Sequence, residues 1–488
     1  MAQTDENGLK AQIKGQLETL RVVLPRLPLI LRVALLHILR MSDGAKYLDL
    51  RSDVTVAFLR NLIGRSTPTP ISKLQAMTLK DPGIQGRIWV STASSGVPLE
   101  TGIRDALMAA VNGTKKDLVA TDEDCRVPEL VSVEAEWMGY RAGATSNAKP
   151  PSISEQDKYA EMMKEVKSDV TVLHLHGGAY YMLDPASYRP WCKKLAKITK
   201  GRVYSVRYRL APQHPFPSAI LDALVSYFTL LYPPPEAVHK PVDASNIVFS
   251  GDSAGGGLSL ALLQTLLEIR RQNIKINWFG QEREVPLPAG LALLSPWVDA
   301  VQSLPSLMTN LKWDYLPPPS LLSINVPSDS IWPASPPRRH IYVDDAYLLH
   351  PLASLQLAAS WEGSPPIYIC TGWECLADED KYLASKLTKD GVTVVFEEYE
   401  GMPHVFPFLL GQLPGSKKCL DEMTKFITSA VGNPSSVASK YTCVKAKTCD
   451  ESEIDIKSLS PYTIEDLTKL AYEAIEKKPE ISKTPLKL

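Results

Sequence analysis

From about Val170 onward, short apolar runs alternate with helix-patterned segments, and this alternation limits the fold more than any other feature of the chain. The runs Val170 to Leu175, Arg202 to Arg207, Ile247 to Ser250, Gly290 to Leu294, Ile367 to Thr371 and Val392 to Glu398 read as strands. Between and after them, Ser187 to Lys200, Ser218 to Tyr232, Gly257 to Arg271, Ala377 to Lys389 and Leu420 to Val431 carry helical spacing. Strand, helix, strand in regular order requires crossovers, which predicts an α/β fold with a mainly parallel sheet covered by helices on both faces. The runs are continuously apolar rather than alternating, as strands buried on both sides should be.

Two regions fall outside this pattern. The first 165 residues read as mostly helical and irregular, with Leu20 to Met41 and Val54 to Leu62 as the clearest helices. Val301 to Pro365 is a Pro-rich insert containing Trp313-Asp314-Tyr315-Leu316-Pro317, of the kind that forms lids or substrate walls. We therefore expect an N-terminal helical extension over 1–165, an α/β core over 166–431 interrupted at about 301–365, and a tail over 432–488. The tail is polar, with one amphipathic helix from Ser460 to Lys478.

Composition excludes several function classes. With 53 Lys and Arg against 54 Asp and Glu, nothing points to nucleic acid. Seven cysteines at scattered spacings form neither a disulfide framework nor a zinc site, so reduced thiols and no metal are expected. The N-terminus, Met1 to Asn7, is polar and acidic, unlike a secretory leader, which points to an intracellular, cytoplasmic protein. Val22 to Leu39 is apolar but broken by Pro25, Arg26, Pro28 and Arg32. A spanning helix needs about 20 mostly apolar residues, so two roles remain. The segment either lies on a membrane surface, giving a peripheral contact through 22–40, or packs over an active site.

The chemistry is concentrated at Gly251-Asp252-Ser253-Ala254-Gly255-Gly256, between an expected strand and an expected helix. Small residues flank a Ser at the apex of a sharp turn, the layout of a nucleophile elbow. Such a Ser needs a base, an acid to orient the base, and donors for the developing oxyanion. Of the eight histidines only His404 lies after the last core strand, which makes it the base. Glu374 is the first carboxylate past the strand ending near Thr371 and is the expected acid. Asp378, one turn further on, is the competitor, and otherwise caps its helix or braces the His404 loop. Gly177 and Gly178, at the end of the first core strand, offer amides beside that of Ala254 as the oxyanion hole. His176 then ties down the loop, while His340 and His350 take ordinary loop roles. Tyr180, Tyr181 and Phe406 are expected at the substrate, with Trp313, Tyr315 and Phe408 as further candidate walls.

These motifs, with Tyr208-Arg209-Leu210-Ala211-Pro212, Leu294-Ser295-Pro296-Trp297 and Gly401-Met402-Pro403-His404-Val405-Phe406, resemble the hormone-sensitive-lipase-like family of α/β-hydrolases over roughly 165–430. Within it the chain looks like the larger fungal esterase and lipase members. The resemblance implies an α/β-hydrolase fold with a helical cap, and a carboxylic ester hydrolase that works through an acyl-enzyme without a cofactor. It also implies a small-molecule ester with an apolar acyl or alcohol part as substrate. The chain departs from the family where Glu374-Cys375-Leu376-Ala377-Asp378-Glu379 replaces the usual Asp-Pro-Leu-x-Asp-Glu, and where Ala179 replaces a third Gly. Acyl transfer or amide hydrolysis would use the same residues, and a binding protein that reuses the fold would not need all three. The Gly-Asp-Ser run is also similar to the chymotrypsin-type signature, but the alternation and the late His404 argue against that fold.

Overall fold

A computed structural model describes residues 21–64, 69–115, 125–318 and 326–476; Met1 to Asn7, Leu20, and Lys477 and Lys478 of the expected tail segment lie outside them. Its main sheet runs in the order β1-β2-β4-β3-β5-β8-β9-β10-β11-β12. The strands are β1 (Ile88–Ser94), β2 (Glu134–Tyr140), β3 (Thr171–Leu175), β4 (Arg202–Arg207), β5 (Ile247–Asp252), β8 (Gly290–Leu294), β9 (Ile367–Gly372), β10 (Val394–Tyr399), β11 (Lys440–Val444) and β12 (Glu451–Glu453). A separate ribbon pairs β6 (Ile276–Trp278) with β7 (Gln281–Arg283). From β4 across to β11 every neighbouring pair is parallel; β1, β2 and β12 are antiparallel to their neighbours.

Successive side chains of these strands enter opposite cores. Leu173, Phe249, Leu291 and Leu293 pack under the helices Gly102–Thr114, Ser218–Leu231 and Ala254–Arg271. Val172, Val248, Ala292 and Leu294 face the helices Pro185–Thr199 and Pro414–Gly432. Burial on both faces is why these strands read as unbroken apolar runs. Strand order reverses about β3, which has β4 on one side and β5 on the other. At such a switch point the loops leaving the two strands diverge and open a crevice. The Gly177 loop leaves β3 there, and the Ser253 turn leaves β5.

The expected domain boundaries need correction at both ends. The sheet begins within the first 165 residues, since β1 and β2 pair with each other and β2 pairs with β4. It continues into the tail, where β11 adds to β10. These outer strands escaped notice because they are mixed in polarity; β2 even buries Glu136, satisfied by Arg189 Nη2 at 2.6 Å. The tail helix Ile464–Glu476 sets Leu467 and Ala471, both fully buried, into the same core as β3 and β5. The second half of the insert is likewise core, with Val343, Leu357 and Trp361 fully buried.

The N-terminal helix Leu27–Ile38 buries none of its residues. It leans on the helix Leu50–Ile63 through His37 Nδ1 and Asp53 Oδ2, 2.8 Å apart, and through Arg26 Nε, which donates to Asn61 at 2.9 Å. The second of these helices reaches the insert through Arg60.

Because the tail helix is part of the core, Leu467→Ala should cost about 2–5 kcal/mol, the usual range for emptying a buried leucine site. Urea unfolding of the full chain measures this, and an unchanged midpoint would mean the helix is not integral to the fold.

Candidate active site

Ser253 follows β5 directly, with φ 52° and ψ −125°, and the helix Ala254–Arg271 starts at the next residue. A non-glycine residue in this backbone region is strained, and the surroundings must impose it. They do so by hydrogen bonds: Ser253 N–H donates to Leu294 O at 3.0 Å, while its carbonyl accepts from Gly257 and Trp297 at 3.0 and 2.9 Å. Small neighbours are obligatory. A Cβ on Gly255 would strike the carbonyl oxygens of Leu175 and His176, because the elbow sits hard against the end of β3.

His404 and Glu374 meet as the sequence suggested. His404 Nδ1 lies 2.9 Å from Glu374 Oε1, with both side chains almost wholly buried. The other carboxylate oxygen accepts from Ser295 Oγ at 2.7 Å and from Gly372 N–H at 3.2 Å. Ser295 Oγ in turn accepts from Val405 N–H at 3.1 Å. The pair Leu294-Ser295 thus touches the Ser253 turn, Glu374 and the His404 loop at once. Sequence reading used Ser295 only as part of a motif and missed this role. Its signal was a polar residue at the end of a fully apolar strand next to β5.

Burial alone would lower the His404 pKa. The Glu374 carboxylate outweighs it, by charge and by hydrogen bond, and Asp314 and Asp252 add to it, so the imidazole stands above its ordinary value of 6.5. Asp252, the residue before the nucleophile, is pushed up to about 6 by burial, countered by the hydroxyl of Tyr188, which donates to it at 2.8 Å.

Asp378 is not an alternative partner for His404. It accepts from Ser306 N–H at 2.9 Å and from Tyr462 Oη at 3.4 Å, pinning the insert and the tail. The bracing of the His404 loop falls instead to Asp314, which no sequence argument had singled out.

One expected oxyanion donor needs correction. Gly177 N–H donates to Tyr188 Oη at 3.0 Å, so it is already engaged. Gly178, at φ 105°, and Ala179, at φ 53°, follow in left-handed conformations, and Ala254 is the first residue of its helix. First-turn amides of a helix have no partner within it, and their partial positive charge suits a developing anion. His176 does tie down the loop. Its Nδ1 lies 2.8 Å from Gly177 O, its ring stacks on Tyr208 at 4.2 Å, and burial lowers its pKa to about 4, so it stays neutral. His340 serves the insert's own backbone, whereas His350 is fully buried and also ties the insert to the helix Gly102–Thr114, its Nε2 lying 3.0 Å from Val111 O.

The candidate walls divide. Tyr180 stacks face to face on Tyr342 at 3.8 Å, Tyr181 is half-buried beside it, and the Tyr315 ring centre is 6.1 Å from that of His404. Phe406 is corrected to core: it is fully buried and packs on Tyr399 at 4.9 Å. Trp313 joins Tyr47 and Trp373 in an edge-on aromatic cluster beside Glu374. Phe408 stacks on Tyr188 at 5.3 Å.

A family model described as the alpha/beta hydrolase fold matches residues 172–408, a span that contains every motif behind the resemblance. An esterase of Acinetobacter venetianus is 30% identical over 270 residues, covering 55% of this chain and 78% of that protein. An acetyl-hydrolase of Streptomyces hygroscopicus is 29% identical over 275 residues, 56% of this chain and 80% of the relative. The chain belongs to the α/β-hydrolase family. A crystal structure of EstE5 soaked with p-nitrophenyl butyrate shares this fold, with a TM-score of 0.52 at 23% identity over 77% of this chain and 97% of that one.

The His404–Glu374 contact predicts an asymmetry between two carboxylates. In this hydrolase Glu374→Gln should lower kcat on the order of 1,000- to 10,000-fold, as removal of the orienting carboxylate does in serine hydrolases. Asp378→Asn should leave kcat within a few-fold. The acid limb of kcat/KM, which follows loss of the His404 proton, should lie above pH 6.5. A limb at or below that value would contradict the electrostatic reading.

Proposed function

We propose that the chain is a serine carboxylic ester hydrolase in which Ser253 is the nucleophile, His404 the general base and Glu374 the orienting acid. The observation that carries the reading is the strained serine at the strand–helix turn, tied through Leu294-Ser295 to a buried His–Glu pair. Ser253 Oγ attacks the ester carbonyl carbon while its proton passes to His404 Nε2. The oxyanion is met by the amides of Gly178, Ala179 and Ala254, with Ala179 taking the place first given to Gly177. As the tetrahedral intermediate collapses, His404 returns the proton to the leaving alcohol, and the acyl group remains on Ser253. Water then attacks the acyl carbon and gives its proton to His404, which hands it to Ser253 Oγ as the acyl–oxygen bond breaks and the acid leaves. Glu374 keeps the Nδ1 proton of the ring in place and stabilises the imidazolium in both steps.

The substrate reading is a small ester with an apolar acyl or alcohol part. Its support is the aromatic surroundings of the elbow, Tyr180 on Tyr342 and Tyr315 beside His404. The names of the relatives, an esterase and an acetyl-hydrolase, favour hydrolysis and include a short acyl group. An intracellular setting belongs to this reading on the scattered spacing of the seven cysteines, which is not that of a disulfide framework.

Contact with a membrane surface belongs to the same reading. Among the described residues no helix is long and apolar enough to cross a membrane. Yet the N-terminal helix exposes Leu27, Leu31, Leu35 and Ile38 along one stripe, with Arg21, Arg32 and Arg40 exposed and no acidic residue from 21 to 42. Apolar stripe plus cations is the pattern of a helix lying among anionic headgroups.

Two experiments test these readings. Ser253→Ala should fold normally and lose p-nitrophenyl ester hydrolysis and fluorophosphonate labelling; retained turnover would end the nucleophile assignment. The full chain should float with vesicles containing phosphatidylserine, and Leu31→Asp with Leu35→Asp should abolish flotation. A wild-type chain that stays at the bottom of the gradient would remove the membrane from the account.

A further inference from the structure

Asp314 lies in the insert, far in sequence from all three residues above, and is fully buried. Its Oδ1 accepts from the backbone N–H of His404 at 3.2 Å, and its Oδ2 accepts from the backbone N–H of Cys375 at 2.8 Å. Cys375 is the residue after Glu374. One carboxylate therefore spans the main chains of the base loop and the acid loop. The contacts of Oδ1 with Tyr315 N–H at 2.7 Å and Leu316 N–H at 3.4 Å are what any aspartate makes at the start of a turn. The two long-range contacts are not explained by that.

The peptide around Asp314 is itself fixed from outside the core. Arg60, on the helix Leu50–Ile63, donates from Nε to Asp314 O at 2.7 Å and from Nη2 to Lys312 O at 2.9 Å. A second strut comes from Asn310, whose Nδ2 donates to Glu374 O at 2.9 Å. Tyr47 closes the arrangement from the same N-terminal segment by packing edge-on against Trp313 and Trp373.

We propose that Asp314 is a positioning residue that sets His404 relative to Glu374, and that Arg60 makes the N-terminal extension the outer anchor of this clamp. Two loops that leave different strands need a common reference if an imidazole and a carboxylate are to stay aligned within fractions of an ångström. The alignment matters because small misplacements of reacting groups are costly. A charged acceptor suits the task, since ionic hydrogen bonds are the stronger ones. The proposal also gives the extension a part in the reaction without placing any of its side chains on the substrate. It rests on the reading of Ser253, Glu374 and His404 given above.

The charged and titratable groups that face His404 are Glu374 after β9, Asp252 at the end of β5, and Asp314 in the insert, with the Tyr315 ring alongside. Removing the Asp314 charge leaves the other two carboxylates, so the His404 pKa should fall and the acid limb of kcat/KM should move to lower pH. A role confined to packing would move the thermal midpoint alone.

The test uses the full chain, p-nitrophenyl acetate and a fluorophosphonate probe. Asp314→Asn should lower kcat on the order of 10- to 100-fold, leave KM within about twofold, and shift the acid limb downward. Arg60→Ala should lower kcat in the same direction by a smaller factor, with the acid limb in place. Wild-type kcat and an unmoved limb in Asp314→Asn, even with a lower thermal midpoint, would overturn the proposal. Should that variant fail to fold, wild-type kcat in Arg60→Ala would overturn it instead. Failure of the underlying reading looks different: there the wild-type chain itself would not be labelled at Ser253.

Discussion

The buried carboxylate of Glu374 is the constraint on which the rest of the site depends. It is fully removed from solvent, and a charge in that position must be met by donors or lose its charge. It has His404, the Ser295 hydroxyl and the Gly372 amide around it. Each of these comes from a different strand end or loop, so satisfying one charge draws three segments of backbone to the same point. The imidazole is then held through Nδ1, and its pKa is raised against the effect of its own burial.

Strain at Ser253 is the second half of the arrangement. The φ of 52° is maintained by hydrogen bonds to Leu294 at the end of β8 and to Trp297 in the loop after it, and by glycines that let the elbow press against β3. Parallel pairing of β3, β5, β8 and β9 brings the carboxyl ends of four strands to one edge. The Gly177 loop, the elbow, Ser295 and Glu374 are what stand at those ends. Topology sets this arrangement: strand order reverses about β3, and the residues gathered there sit just past strand ends.

The additions to the core have separate tasks. The helix Leu50–Ile63 reaches inward to the insert through Arg60, whereas Leu27–Ile38 faces outward with no buried side chain. The tail extends the sheet with β11 and seals one core with Leu467 and Ala471. Asp378, at the start of the helix Ala377–Lys389, joins insert and tail through Ser306 and Tyr462. The extension and tail are thus bonded into the same body as the site they surround.

The amino-acid sequence by itself determined the alternation of strands and helices from 170 to 431, the strand–turn–helix around Ser253, and which carboxylate and histidine meet, Glu374 and His404. It could do so because these depend on local patterns: apolar runs, small residues around a serine, and the order of acid and histidine along the chain. Tertiary structure alone decided that Gly177 spends its amide on Tyr188, that Phe406 is core, and that Ser295 and Asp314 hold the site together. It likewise placed β1, β2 and β11 in the sheet, strands whose mixed polarity leaves little periodic signal. The physical reason is the same in each case. A hydrogen bond between residues 314 and 404, or 295 and 374, is specified by how distant segments pack, and no window of neighbouring residues contains that information.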